Sequence, residues 1–219
     1  MFPAELRYGS WVDDYFDPFS KIALTLTASQ IAKNMIIKDE GIGEDLSFNF
    51  FAWRDGEPFL CAQLESKYMK ESHRKRFARC YELLRVLRFK LGVSAITFVA
   101  EGYVSTVPQE VELSLAFIEP ESGVKECLTV IHCDENDHTG YPDIYLFSVP
   151  YRYGVGKKVH WGNIMEFSQK AAKTVNQYAY PSMLGAAFRR KIGPEVSSTP
   201  LDYEIIDDIT QHGFLIQEF

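Results

Sequence analysis

Apolar and polar residues alternate along this chain with two periods. In KIALTLT, Ile22, Leu24 and Leu26 fall at every second position, the period of a strand. Thr27 and Gln30 then have capping-box spacing, in which the hydroxyl accepts an orphan helix N–H and the amide reaches back. Ile31, Met35 and Lys38 lie on successive turns, with Ala28, Ala32 and Ile36 beside them, and predict a helix ending near Gly41. A helix starting earlier, capped by Asp17 with Pro18 at its first position, competes with that reading. LSFNFFAW and PFLCAQLES flank Asp55-Gly56, a pair suited to the positive φ angles of a tight hairpin. Phe48, Phe50 and Ala52 share one face of that hairpin and Asn49, Phe51 and Trp53 the other, so both faces are expected to be covered. From Lys67 to Leu91 the period becomes helical through Phe77, Cys80, Tyr81, Leu84 and Leu87, and Gly92 supplies the stop.

SAITFVAEGYVS, VELSLAFIEP, VKECLTVIHC and DIYLFSVPYRY follow as strand-like runs joined by polar turns, the pattern of an antiparallel meander. GVGKKVHWGN reads as a loop. Ile164, Phe167, Ala171, Val175 and Tyr178 predict a helix stopped by Pro181, and FRRKIGPEVSSTP reads as a surface loop. Ile205, Ile206 and Ile209 mark a short helix before the strand-like FLIQEF.

The elements define an α+β fold: a mostly antiparallel sheet of about five strands with two or three helices packed on it. The layout resembles roadblock-like and profilin-like sandwiches. Residues 1–195 are expected to form a single domain with an N-terminal arm, and residues 196–219 a tail packing on the domain or on a partner. The 219 residues fit one core, and a 46% hydrophobic, 14% aromatic composition excludes a disordered chain. The net charge of −7 removes the default expectation of a nucleic-acid partner, which would need a local basic patch. Cys61, Cys80, Cys127 and Cys133 form no CxxC pair, and MFPAELRYGSW lacks the apolar core of a signal peptide. No apolar run reaches the roughly 20 residues of a membrane span, so a reduced, cytoplasmic protein without a membrane partner is expected.

Asp55, Glu65 and Lys67 are the candidate catalytic residues. An acidic residue followed by Glu-x-Lys on the neighbouring strand resembles the PD-(D/E)xK nucleases. That resemblance implies two carboxylates holding Mg²⁺ or Mn²⁺ and a lysine positioning the attacking water. The cations Arg74, Lys75 and Arg79 dominate the first half of the long helix and are candidates for binding an acidic partner. Lys75 and Arg79 also lie opposite its apolar stripe, as a solvated face requires. Tyr151, Arg152 and Tyr153 belong to an aromatic and basic run able to stack bases or anchor a protein. His132, Cys133, Asp134, Glu135, Asp137 and His138 contain every common ligand type, but their spacing matches no zinc or calcium pattern and no metal is assigned to them. Gly154-x-Gly156-Lys157-Lys158 is too short for a phosphate-binding loop.

The resulting reading is a non-catalytic binding or assembly module without a cofactor. Its partner is a protein, a second copy included, and FLIQEF can join another chain by strand addition. The metal-dependent nuclease is the alternative. The Asp-Gly hairpin, the basic helix and FVAEGY together resemble small α+β proteins of bacteria or their phages without defining a family.

Overall fold

The computed structural model describes residues 18–41, 45–105, 124–135, 141–156, 158–167, 180–189, 192, 196 and 199–219. In chain order they form α1 (Pro18–Asp39), β1 (Asn49–Arg54), β2 (Glu57–Leu64), α2 (Ser66–Met69), α3 (His73–Phe89), β3 (Ala95–Ser105) and β4 (Val124–Asp134). Then come β5 (Asp143–Tyr153), β6 (Val159–Trp161), β7 (Met165–Phe167), α4 (Tyr180–Phe188), α5 (Tyr203–Gln211) and β8 (Phe214–Glu218). The strands pair antiparallel in the order β6-β5-β4-β3-β1-β2-β8, with β7 also paired to β5. The α+β class and the antiparallel sheet are as the sequence predicts. The eight strands and five helices among the described residues exceed the expected number.

Strand alternation builds a core on each face of the sheet. Phe50, Ala52, Leu60, Ala62, Leu64, Ile96 and Phe98 pack with Cys80, Leu84 and Leu87 of α3, Leu184 of α4 and Ile209 of α5. On the other face Phe51, Val99, Leu128, Val130 and Phe147 pack with Ile22 and Leu26 of α1. Both faces of the β1–β2 hairpin are therefore covered near β1, as the two apolar faces of LSFNFFAW predict.

Several elements differ from the expectation. KIALTLT is helical, within α1, because Ile22, Leu26, Ser29, Lys33 and Ile37 form one buried stripe at helical spacing. The Thr25 and Thr27 hydroxyls donate to the carbonyls of Lys21 and Ala23 one turn back, inside the helix, so Thr27 is not a cap. The earlier start at Pro18 is the reading that holds, and the helix ends beside Gly41 (φ +118°). The long helix predicted from Lys67 breaks at Lys70–Ser72. Ser72 adopts an extended conformation and its carbonyl receives the N–H groups of Lys75 and Arg76, which begins α3 anew. Gly92 follows α3 at φ +63°.

The stretch read as the loop GVGKKVHWGN contains β6, and Met165–Phe167, expected to be helical, pair with β5 as β7. Pro181 lies within α4, which continues to Phe188, so the chain does not leave the helix at that proline. The N-terminal arm, the VELSLAFIEP strand, the rest of the helix predicted after Asn163, and Asp137 and His138 lie outside the described residues. So does most of the FRRKIGPEVSSTP segment. The C-terminal helix and strand form as predicted, and β8 pairs with β2 of the same chain from Leu60↔Glu218 to Leu64↔Phe214. No helix among the described residues is long and apolar enough to cross a membrane.

Candidate functional site

The hairpin separates the residues proposed for nuclease chemistry. Asp55 (φ +53°) and Gly56 (φ +84°) make the turn at one end, and Glu65 follows the last residue of β2 at the other. The eight residues of β2 at about 3.3 Å each place them roughly 25 Å apart, against the ~5 Å of two ligands on one metal. Glu65 pairs instead with Lys67 at 2.9 Å. Among the described residues no three His, Cys, Asp or Glu side chains converge on a metal-sized site.

The basic helix is largely occupied by its own neighbours. Arg79 makes a two-pronged bond to Glu71 (2.8 and 3.0 Å), donates to the His212 carbonyl (3.1 Å) and stacks over Tyr68. Arg76 bridges the α2–α3 break by bonding the Met69 carbonyl. Arg85 pairs with Glu82 and Lys90 with Asp208. Arg88 is fully buried: it donates to the Val93 carbonyl (2.7 Å), to both oxygens of Glu135 (2.6 and 3.1 Å) and lies over Phe188. Arg74 and Lys75 remain exposed in the first turn of α3, without an ion pair to another described residue. A shallow cleft of about 330 Å³ separates α3 from α5, lined by Arg85, Phe89, Asp208 and His212 among others.

The predicted aromatic run contributes to a polar cluster under α1 that the sequence did not reveal. Tyr151 is buried, edge-on to Tyr153 and Trp161, while Arg152 is exposed. The Lys33 ammonium, fully buried, lies 5.5 Å from the Tyr151 ring centre and 2.6 Å from Glu101. Burial pushes the Glu101 carboxyl up to about 7; Lys33 opposes the rise, and a hydrogen bond shared with Asp45 adds to it. Burial also raises the Tyr151 phenol, with the field of Glu101 next in importance. The signal for Lys33 was its place on the stripe Ile22–Leu26–Ser29–Lys33–Ile37, legible only once KIALTLT is read as helix.

A second buried chain crosses the same face. The Trp53 indole N–H donates to Thr97 Oγ1 (3.1 Å), which lies 2.8 Å from His132 Nδ1. The Thr97 hydroxyl therefore donates to Nδ1, and the Nε2–H of a neutral His132 faces Asp134 Oδ2 at 3.4 Å. Lys21 donates to the same Asp134 oxygen (2.8 Å). Burial holds His132 below its usual range despite Asp134. Asp134 is pushed up by burial but held lower overall by His132 and Lys21. The order Asp–His–Thr resembles a catalytic triad, yet Thr97 and His132 are wholly buried and the Thr97 oxygen already receives Trp53, so the chain ties α1 to the sheet. Cys133 points to the opposite face from His132 and Asp134, and Glu135 is taken by Arg88, so the strand divides the residues that cluster in sequence.

The remaining feature is the end of the sheet. The Glu65 N–H bonds the Gly213 carbonyl and the Phe219 N–H bonds the Phe59 carbonyl. By alternation, Leu215 and Gln217 direct their main-chain groups to β2, and Phe214, Ile216 and Glu218 direct theirs away from it. Among the described residues no strand covers that outer edge. Leu215 and Gln217 are exposed on the α1 side, which α1 reaches at β3 and β4 rather than at β8.

No protein-family model, curated protein or solved structure matches this chain.

Proposed function

We propose that this protein is a non-catalytic binding and assembly module, and that it takes an extended segment of a protein partner onto the outer edge of β8. The observation that supports this reading is the pair of outward-facing main-chain positions at Ile216 and Glu218, both reached by solvent, whereas Phe214 is buried. Edge strands are ordinarily blunted by lysine, proline or a bulge. β8 has none of these: its sequence is FLIQE and its register with β2 runs unbroken. An added strand gains about 1 kcal/mol for each main-chain hydrogen bond and up to ~1 kcal/mol for each favourable cross-strand pair. Exposed Leu215 and Gln217 offer the side-chain contacts on one face. Arg74, Lys75 and the Tyr151–Tyr153 run do not belong to this edge, since β5 lies toward the other end of the sheet. The roadblock- or profilin-like layout and a cytoplasmic setting belong to the same proposal, and no cofactor enters it.

The test is a selection of strand-forming peptides from a displayed random library, counter-screened against Ile216→Pro. Proline at 216 removes an outward N–H and leaves the β2 ladder intact. The reading expects binders that lose affinity for the proline variant. A selection yielding only binders that ignore the substitution contradicts it.

A further inference from the structure

We infer that α1 is a pH-sensitive strap: it lifts from the sheet as a unit, hinged near Gly41, and ionisation of Glu101 beneath it promotes the lift. The inference is independent of the β8 edge, because α1 meets the sheet at β3 and β4. A helix is held to a sheet mainly by the apolar surface it buries. Of the seven buried residues of α1, only Ile22, Leu26 and Ile37 are apolar; Lys21, Thr25, Ser29 and Lys33 are not. The six buried residues of α3 include one polar side chain, Arg88. The Thr25 and Ser29 hydroxyls donate to carbonyls of α1 itself rather than to the sheet. What fastens α1 is instead two buried ion pairs, Lys21 with Asp134 of β4 and Lys33 with Glu101 of β3, about 18 Å apart along the helix. Such pairs roughly break even against the cost of taking both charges out of water. α1 therefore belongs to the low-stability end of the molecule, which opens ahead of global unfolding.

Gly41 stands just after α1 at φ +118°. Its chain neighbours apart, no described atom lies within 4 Å of where a side chain would begin, so the chain can turn there without a clash. With α1 down, both Glu101 oxygens are shut off from solvent. Lys33 approaches them from α1 and Asp45 from the segment that follows it. Tyr151 and Tyr153 of β5 and Glu126 and Cys127 of β4 complete the charged and titratable groups of this cluster among the described residues. One ammonium thus serves three carboxyl groups. A charge on Glu101 is relieved either by taking up a proton or by lifting α1 to admit water. Burial draws the carboxyl up to about 7 while α1 is down, and a lifted, hydrated Glu101 returns to the ordinary 4.5. The closed state therefore holds the proton more tightly than the lifted one. α1 is firmest at lower pH and loosens as pH rises through about 7. Its lift uncovers Phe51, Val99, Leu128 and Val130 on the second apolar face of the sheet.

Native-state amide exchange in low urea, read residue by residue, measures the lift. The amides of Leu26, Ser29 and Lys33 should exchange together through an opening with a smaller urea dependence than that of Val99 and Val130 in the strands beneath. That opening should occur at least ~10-fold more often than the opening of the strands. Wild-type protein alone answers this part. Glu101→Gln isolates the trigger, since His132 titrates alike in both proteins. With the intrinsic pH dependence of exchange removed, the ratio of α1 opening in wild type to that in the variant should rise about 5–30-fold from pH 5 to pH 8. Should the glutamine variant not fold, Asp45→Asn at an exposed position takes its place. Asp45 helps to raise the Glu101 carboxyl, so the ratio against that variant should also rise with pH, by about 2-fold or more. α1 amides that exchange only together with Val99 and Val130, by global unfolding, overturn the inference. So does a ratio that stays constant or falls as pH rises.

Discussion

Replacing Glu101 by glutamine probes the buried cluster under α1 through its dependence on pH. Glu101 is drawn from the ordinary 4.5 to about 7, chiefly by burial, while Lys33 sits 2.6 Å away. The folded state therefore binds a proton more readily than the unfolded chain, and stability falls as pH rises from the unfolded value through about 7. A displacement of that size separates the two protonation states by ~3 kcal/mol. The effective dielectric around buried charges in a real protein is well above that of a dry interior, which leaves about 1–2 kcal/mol of this. Glu101→Gln deletes the titration and adds a fixed cost for the changed partner of Lys33. Urea unfolding of both proteins at pH 5 and pH 8 measures the effect. Because Glu101 is neutral in the folded protein at pH 5, the glutamine variant should lie within about 1 kcal/mol of wild type there and gain on it by about 1–2 kcal/mol at pH 8. A difference between the two proteins that does not change with pH, or a variant that loses ground as pH rises, refutes the reasoning.

Removing Arg88 with alanine leaves Glu135 and the Val93 carbonyl without their buried donor, and should cost about 3–5 kcal/mol in chemical denaturation; the pair Arg88→Met with Glu135→Leu should recover much of that loss, and a cost under ~1 kcal/mol for the alanine would contradict the assignment. His132, buried and held below its ordinary value of 6.5, must stay neutral, so stability should decline as pH falls below that value. His132→Gln should flatten that acid limb while leaving the Glu101 limb in place, and an unchanged acid limb would count against the relay. Gly213 holds φ +92° with the Tyr68 ring packed where a Cβ would stand, so Gly213→Ala should lower stability by about 1–3 kcal/mol and free β8 first, seen as an early loss of amide protection over Phe214–Glu218.

Much of the fold is written in local pattern. The Asp55-Gly56 turn, the Gly92 stop and the alternation in β3, β4 and β5 are set by backbone sterics and by burial of one face, and these operate within a few residues. KIALTLT satisfied both a strand and a helix period, and only the length of the continuing stripe to Ile37 decides for the helix. Pro181 suggests a stop, yet the residues that follow it to Phe188 are helical. The polar clusters were less legible still. Lys33 and Glu101 stand far apart in sequence and meet because α1 crosses β3. Arg88 looked like one cation among many, and only the approach of Glu135 across the end of β4 gives it a partner. The residues that seemed to belong together, Asp55 with Glu65 and His132 with Cys133, are divided by a strand's length and by a strand's alternation.

Residue-resolved amide exchange across β8, with and without a selected strand peptide, tests the edge-binding account most directly. In the free protein Leu215 and Gln217 should exchange slowly, bonded to β2, while Ile216 and Glu218 exchange at nearly solvent rates. With the peptide bound, those two should become protected together. Ile216 and Glu218 already protected in the free protein, or unprotected under every condition, would contradict the claim that β8 is an open edge that receives a strand.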